Sequence, residues 1–372
     1  MPAATQLGLL DPASIQEQYT AFPLLDAAPS DETYHRCSEA SSVELRDGTV
    51  LLAYGRHAGA SDNAAGHVWG RTIEADGTPR ADDRILVRSP EGGLNAMSPA
   101  LRRLPDGRLG MLYSFRVNVK TAERHFVSSK DEGRTWSAPA VVATGGYVTG
   151  CHDRFTVHSS GRLIAPLHGS ENWDYHWPQT SVAYSDDLGA TWTRSVSKIE
   201  GPKLLHPGGR IVGEGGFNEP GTAERADGSL LMTLRSSMGT QFRSESFDRG
   251  ETWSSPRSME VMSPRAPANL TRVPGTDDLL LIYQHNFDLN HMFNGRRQTI
   301  VAALSTDGGQ SWPYARRKLL VHDPECSTDY PSVMYKGGEV WISMRCSTGR
   351  EVLQGRTSTR LMRVPLDWLY EG

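Results

Sequence analysis

The stretch SKDEGRTW at residues 129–136 fits the pattern Ser/Thr-x-Asp-x-Gly-x-Thr/Ser-Trp, and this pattern occurs in three further places. The other copies begin at Ser185, Ser246 and Ser305, so successive starts lie 56, 61 and 59 residues apart. Self-similarity at such a period is typical of repeat architectures in which each repeat is one supersecondary unit. We expect the Asp of each copy to cap a turn and the Trp to pack between strands. These aspartates are predicted to be structural and to lie on an outer rim: Asp131, Asp187, Asp248 and Asp307.

A second repeat is a turn followed by an apolar strand, and its six copies fill the chain. They are ELRDGTVLLAY (44–54), RLPDGRLGMLY (103–113), VHSSGRLIAPL (157–167), ERADGSLLMTL (224–234), VPGTDDLLLIY (273–283) and YKGGEVWISMR (335–345). Asp-Gly between two strand-like runs favours a hairpin, because both residues tolerate the positive φ of tight turns. Six such units predict an all-β, six-bladed β-propeller that forms one domain over residues 1–372. The segment 356–364 is predicted to be a last strand that pairs with N-terminal strands and closes the ring.

Composition excludes several classes of function. The net charge is −4 without a long basic run, which argues against nucleic acid and anionic membrane surfaces as partners. The four cysteines form no metal-binding spacing and are expected to be thiols in a reducing compartment. No signal peptide or apolar membrane span is present, so we expect a cytoplasmic protein, or a secreted one if a leader has been removed.

The four repeats resemble the Asp boxes, or BNR repeats, of the sialidase (neuraminidase) superfamily, and the resemblance covers nearly the full chain. It is strongest to an uncharacterised bacterial branch of sialidase-like proteins. That branch is indicated by four segments: His152-Asp153-Arg154, Glu219-Pro220, Ser263-Pro264-Arg265-Ala266-Pro267 and Tyr330. The resemblance implies a glycan or oligosaccharide as the partner and no cofactor.

The resemblance also implies the roles of five residues. Asp62 matches the acid/base aspartate, Glu219 the glutamate of an Asn-Glu segment, and Tyr330 the late tyrosine. Arg235 matches the arginine after the hairpin, and Arg297, with Arg296 as the near alternative, matches the arginine before the late tyrosine.

The chemistry of sialosides explains these residue types. Their anomeric carbon carries a carboxylate that repels a carboxylate nucleophile, so these enzymes use a tyrosine. A tyrosine of ordinary pKa is protonated at neutral pH and needs a base partner, here Glu219 for Tyr330. Arginines bind a carboxylate through two parallel hydrogen bonds. We therefore predict an exo-glycosidase that hydrolyses a terminal acidic sugar with retention.

The pattern departs from the family in the first blade. Glu39 stands where sialidases have an arginine that completes a three-arginine carboxylate clamp. Arg36 and Arg56 are near in sequence and are candidate substitutes. Glu39 is better suited to accept hydrogen bonds from sugar hydroxyls, so the substrate stays open.

Other candidates remain with alternatives. Asp153 and Arg154 either line the pocket or form a buried pair that holds two blades together. No His-containing metal motif occurs, so we expect His152 and His285 to bind substrate. The aromatic cluster Trp173, Tyr175 and Trp177 either packs a loop or stacks on a sugar ring.

Two alternative functions remain open at this point. A polysaccharide lyase acting on a uronate would use His152, His285 or Tyr330 as its base. A non-catalytic carbohydrate-binding propeller would use the same centre without turnover.

Overall fold

The computed structural model of the chain describes residues 18–170, 178–201, 216–288, 290–291 and 295–371. Regular structure in these residues is almost entirely β-strand. The strands are β1 (Tyr19–Thr20), β2 (Leu24–Ala28), β3 (Arg36–Glu44), β4 (Val50–His57), β5 (Gly66–Ile73), β6 (Arg84–Val87), β7 (Asn95–Arg103), β8 (Leu109–Arg116), β9 (Ala122–Ser129), β10 (Ala140–Ala143), β11 (Tyr147–Thr149), β12 (Thr156–Val157), β13 (Leu163–Ser170), β14 (Gln179–Ser185), β15 (Thr193–Arg194), β16 (Ile199–Glu200), β17 (Asn218–Glu224), β18 (Leu230–Arg235), β19 (Thr240–Ser246), β20 (Arg257–Met262), β21 (Asn269–Arg272), β22 (Leu279–Gln284), β23 (Thr299–Ser305), β24 (Arg317–His322), β25 (Ser327–Lys336), β26 (Glu339–Ser347) and β27 (Ser358–Pro365). A short helix, α1 (Gly349–Leu353), and two 3₁₀ turns (Tyr314–Arg316 and Asp367–Leu369) complete the set.

The strands pair in sequence order, as successive antiparallel groups. The groups are built on β3–β6, β7–β10, β12–β16, β17–β20, β21–β24 and β25–β27. Parallel contacts between β5 and β7 and between β9 and β11 join the first three groups into one continuous sheet. The all-β prediction and the hairpins at the six repeated turns are therefore confirmed.

The two ends of the chain meet in the last group. Strand β2 pairs with β27, with Leu25 opposite Leu361. Strand β1 pairs with β24 of the preceding group, with Tyr19 opposite His322. The predicted pairing between the last strand and N-terminal strands is confirmed.

The repeated Asp-box turns have the same internal contacts in all four copies. In the first copy Ser129 Oγ donates to Asp131 Oδ1 at 2.8 Å, and Thr135 donates to both carboxylate oxygens. Asp187, Asp248 and Asp307 accept equivalent bonds. These bonds lower the pKa of Asp131 to about 2. The predicted structural role of these aspartates is confirmed.

Five non-glycine residues with positive φ mark the beginnings of five inner strands. These residues, called here the left-handed residues, are Glu39 (59°), Ser98 (53°), Asp153 (56°), Glu219 (46°) and Tyr330 (53°). At four of them the strand pairing slips, in β3, β7, β17 and β25. Such bulges redirect side chains and are frequent next to active sites. The strain of a left-handed L-residue costs roughly 1–2 kcal/mol, so each position needs support from its neighbours.

A cavity of about 810 Å³ lies at the other end of the same inner strands. Every group contributes to its wall, including Val43, Leu101, Val157, Ala223, Leu270 and Val333. The inner strands of the six groups therefore line one common cavity. Among the described residues, no helix is long and apolar enough to cross a membrane.

Candidate active site

A tyrosine, a glutamate and an arginine from two groups form the centre of the site. The Tyr330 hydroxyl donates to Glu219 Oε1 at 2.8 Å, and Arg235 Nη1 donates to Glu219 Oε2. Tyr330 and Glu219 are both left-handed residues, and the bulges at β25 and β17 turn them toward each other. The predicted neighbours Tyr330, Glu219 and Arg235 thus lie in direct contact.

The charges of this group favour an ionised glutamate beside a neutral tyrosine. Burial raises the pKa of Glu219, but Arg235, His168 and Arg297 outweigh it and hold this pKa far below its usual range. Burial and the Glu219 charge both raise the pKa of Tyr330. A proton on Tyr330 therefore has a charged acceptor at hydrogen-bond distance, which is the arrangement an activated hydroxyl nucleophile requires.

Two arginines lie over the tyrosine ring. The guanidinium carbon of Arg345 is 4.5 Å from the centre of the Tyr330 ring, and that of Arg297 is 5.6 Å away. Both arginines bind the fully buried carboxylate of Asp329: Arg297 Nη1 at 2.8 Å, and Arg345 through Nε at 2.6 Å and Nη2 at 2.5 Å. Asp329 fixes both guanidinium groups beside Tyr330.

A second acidic group comes from the first inner strand and the loop after β4. Arg36 donates through Nη1 to Asp62 and through Nη2 to Glu39. Glu39 also accepts a bond of 2.6 Å from the left-handed residue Ser98. Asn95 holds the Asp62 loop by donating to the Asp62 carbonyl at 2.8 Å. Arg36 and Glu39 are buried, whereas the Asp62 side chain is 61% exposed.

Arg345 interacts electrostatically both with Tyr330 and with Glu39. The charge of Arg345 is one of those that act on the pKa of Arg36. The charge of Glu39 is one of those that act on the pKa of Arg345. Partial desolvation within the site raises the pKa of Asp62, but Arg36, Arg116 and Arg345 outweigh it and hold this pKa below its usual value. The three predicted catalytic residues therefore share one electrostatic environment.

Asp153 lies beneath the site as a buried hub. Its carboxylate accepts bonds from four other inner strands: Ser41 Oγ at 2.8 Å, Arg102 Nη1 at 2.7 Å, Asn269 Nδ2 at 2.8 Å and the Val333 amide at 2.9 Å. Arg154 likewise donates to the Ala268 and Pro331 carbonyls. Asp153 and Arg154 are thus both buried, and each binds residues of other strands.

Three of the predicted substrate-binding residues, namely Arg56, His152 and His285, contact other residues of the chain. Arg56 donates to Asp31 at 2.9 Å and stacks on Tyr34 and Trp69. His152 is fully buried and its Nε2 lies 3.0 Å from the Tyr330 carbonyl oxygen; burial and Arg154 lower its pKa to about 4.

His285 is buried next to Tyr283, with Nδ1 3.2 Å from the hydroxyl. The aromatic cluster Trp173, Tyr175 and Trp177 lies outside the described residues.

Sequence reasoning missed Asp329, Arg345, Arg116 and Tyr147. Arg345 could have been predicted, since the repeat YKGGEVWISMR (335–345) ends in arginine and the repeat ERADGSLLMTL (224–234) is followed by Arg235. Arg116 Nη1 donates to the Tyr147 hydroxyl at 3.0 Å, and both side chains face the charges of Asp62. Neither belongs to a sequence motif, so no local signal marks them.

Within the part of the chain that the structure describes, no cluster of three or more His, Cys, Asp or Glu side chains could hold a metal ion. All four cysteines are buried free thiols. The centre presents hydroxyl, carboxylate and guanidinium groups.

Comparison with known proteins places this geometry in a family. The model of the BNR repeat-like domain matches residues 80–342. A sequence search of curated proteins finds no match. Among solved structures, a protein of unknown function from Dyadobacter fermentans superposes with a TM-score of 0.72 at 15% identity, covering 94% of this chain and 100% of that one.

Two sialidases also share the fold. The Trypanosoma rangeli sialidase in complex with sialic acid gives a TM-score of 0.68 at 16% identity, over 95% of this chain and 60% of that one. The NanB sialidase from Streptococcus pneumoniae gives 0.70 at 11% identity, over 93% and 71%. The chain thus spans about 60% of the length of the T. rangeli enzyme.

Identities this low show a common fold only, but the family model covers more than half of the chain. The Asp-box turns, the six groups of strands and the match over residues 80–342 have one explanation: this chain belongs to the BNR repeat-like family.

Proposed function

We propose that the protein is a sialidase-like exo-glycosidase, built as a single six-bladed propeller, that hydrolyses a terminal acidic sugar with retention. The single observation that carries this proposal is the 2.8 Å hydrogen bond from the Tyr330 hydroxyl to Glu219. A glutamate kept ionised by Arg235 is the proton acceptor that a tyrosine nucleophile needs.

The first step forms a covalent intermediate. Tyr330 Oη attacks the anomeric carbon while its proton passes to Glu219. Protonated Asp62 gives its proton to the leaving glycosidic oxygen as the carbon–oxygen bond breaks. Its exposed side chain, on a loop held by Asn95, has room to reach a leaving group.

The second step regenerates the enzyme. Ionised Asp62 takes a proton from water, whose oxygen attacks the same carbon as the bond to Tyr330 breaks. Glu219 returns the proton to the tyrosine. Two displacements at one carbon give net retention.

The acidic character of the sugar is inferred from the arginines beside the tyrosine. Arg235, Arg297 and Arg345 all lie within the Tyr330 environment. A tyrosine is favoured over a carboxylate as nucleophile where the reacting carbon is next to an anionic group. The T. rangeli sialidase, which shares the fold, has been crystallised with sialic acid and, as a covalent intermediate, with 2,3-difluorosialic acid.

The test is a screen of fluorogenic glycosides, including sialosides and uronides, followed by Tyr330→Phe on whichever substrate is cleaved. We expect a loss of kcat of roughly 10³-fold or more, since the variant keeps the ring and loses only the attacking oxygen. Tyr335→Phe is a matched control, because that hydroxyl bonds to Thr271 elsewhere.

Full turnover by Tyr330→Phe would refute the nucleophile. A product that absorbs in the ultraviolet through a new double bond would identify a lyase instead. Binding without turnover in the wild type would identify a carbohydrate-binding protein.

A further inference from the structure

We propose that Arg345 binds the carboxylate of the substrate and serves in place of the arginine that Glu39 replaces. This inference rests on the proposed function, because it names the anionic group that the same site recognises. It assigns to Arg345 a direct contact with the ligand.

Arg345 occupies a strand position that is repeated in another group. In the fourth group Arg235 is paired with Asn218, the residue immediately before the left-handed Glu219. In the sixth group Arg345 is paired with Asp329, the residue immediately before the left-handed Tyr330. Arg235 and Arg345 therefore occupy the same register position in two groups that face the same centre.

The guanidinium of Arg345 lies close to the proposed nucleophile. Arg345 lies over the Tyr330 ring, with 4.5 Å from its guanidinium carbon to the ring centre. Asp329 binds Nε and Nη2, which fixes the plane of the fork. Nη1 donates no hydrogen bond to the part of the chain that the structure describes, and the side chain is 21% exposed. The guanidinium thus has one edge anchored on Asp329 and lies beside the tyrosine ring.

Arg36, the other candidate, already binds three side chains. Its Nε donates to Ser38 at 3.0 Å, its Nη1 to Asp62 and its Nη2 to Glu39. Only 3% of its side chain is exposed. A ligand carboxylate at Arg36 would compete with Asp62 and with the buried Glu39, and displacing Glu39 would leave a buried carboxylate unpaired at a large cost.

A sugar carboxylate next to the carbon that Tyr330 attacks would lie above the same ring that Arg345 covers. A guanidinium delivers two directed hydrogen bonds there, whereas a lysine offers only a point charge. The preference between a sugar carrying a carboxylate and its uncharged counterpart should therefore depend on Arg345.

The experiment measures binding by isothermal titration calorimetry with the full-length protein. The probes are 2-deoxy-2,3-didehydro-N-acetylneuraminic acid and glucuronic acid, each beside its uncharged carboxamide. The variants are Arg345→Gln and Arg345→Lys, with circular dichroism to check that each is folded. Arg360→Gln is the matched control, since this part-buried arginine also binds two carboxylates, Asp26 and Glu351, outside the site.

We expect the wild type to bind at least one acid more tightly than its carboxamide. Arg345→Gln should lose about tenfold or more in affinity for the acid and little for the carboxamide, the size of a lost charge-assisted hydrogen bond. Arg345→Lys should fall between the two, and Arg360→Gln should bind like the wild type.

Asp329→Asn separates a direct contact from an indirect one. It leaves Arg345 charged but removes the partner that fixes the plane of its guanidinium, so a direct ligand contact predicts a smaller loss of preference for the acid in Asp329→Asn than in Arg345→Gln. An equal loss of preference in Asp329→Asn and Arg345→Gln would overturn the assignment. So would an unchanged preference in Arg345→Gln, or a wild type that binds neither acid.

Turnover is not the readout of this experiment. A protein that prefers the acid through Arg345 but cleaves no glycoside would refute the proposed hydrolase and leave the assignment of Arg345 standing.

Discussion

The Asp-box turns and the left-handed residues repeat around the same chain, but they repeat different things. In the Asp boxes the side chains recur with the backbone: each aspartate accepts bonds from residues two before and four after it. At the inner ends of the groups only the backbone recurs. The left-handed positions hold five residues, namely Glu39, Ser98, Asp153, Glu219 and Tyr330, of four types.

The difference follows from where each side chain finds its partners. An Asp-box aspartate is satisfied within its own turn, so each copy needs the same residue. A left-handed residue is satisfied by partners across the axis, such as Tyr330 by Glu219 and Asp153 by four other strands. The repeated bulge supplies a direction, and the chemistry of each position is set by what faces it.

The largest effect is expected at Glu219. Glu219→Gln removes the charged acceptor of the Tyr330 proton and should lower kcat/KM by about 10²–10⁴-fold. Glu132→Gln is a matched control. Glu132 also has a positive φ (59°) and is paired with an arginine, Arg103, but it lies in an Asp box. Initial rates on the cleaved glycoside measure both. Equal losses in the two variants would contradict a specific role of Glu219 in the site.

Stability should depend most on Asp153. In Asp153→Asn one oxygen becomes an NH₂ group that faces other donors, and Arg102 loses its counter-charge. Breaking a buried pair in this way costs roughly 3–5 kcal/mol. Urea unfolding followed by fluorescence gives the free energy of unfolding. A change below about 1 kcal/mol would show that the hub is not what joins the groups.

The pH profile tests the acid at the exposed end of the site. Asp62 must be protonated to act as the acid, and Arg36 is one of the groups that lower its pKa. Lowering the pH from 7 toward 4 increases the protonated fraction, so kcat/KM should rise as the pH falls. Glu219 stays ionised throughout this range, because its own pKa is held far below the usual one.

Arg36→Gln removes one of the charges that depress the pKa of Asp62, and the profile should move to higher pH. A profile that does not move would exclude Asp62 as the titrating acid. Arg134→Gln, on an Asp-box turn, should leave the profile in place.

The smallest effect is expected in an Asp box. In Asp307→Asn the remaining oxygen still accepts from Ser305, Gln310 and Ser311, and only the bond from Ser311 Oγ to the second oxygen is lost. We expect a loss of about 0.5–1 kcal/mol, the value of one net hydrogen bond. The same urea experiment applies. A loss as large as that of Asp153→Asn would contradict the local character of these turns.

Local patterns predicted the fold well. The Asp boxes and hairpin turns involve residues within a few positions of each other, so the sequence shows them directly. The site was predicted where the family pattern names a residue, as for Tyr330, Glu219, Arg235 and Arg297, which the structure brings together.

The remaining site residues depend on contacts that sequence spacing does not encode. Arg56 follows Tyr54 on β4, yet its partner Asp31 lies 25 residues before it in the sequence. Arg36 binds Asp62, which lies 26 residues after it. Asp153 binds residues up to 180 positions away.

The pairing of β2 with β27 has a consequence for biosynthesis. Residues 24–28 leave the ribosome early, but their neighbour in the sheet, residues 358–365, is made some 330 positions later. Until then β2 and β26 each expose an edge that can pair with the wrong chain. We expect nascent chains to depend on protection of these edges during translation, and fragments that end before β27 to aggregate.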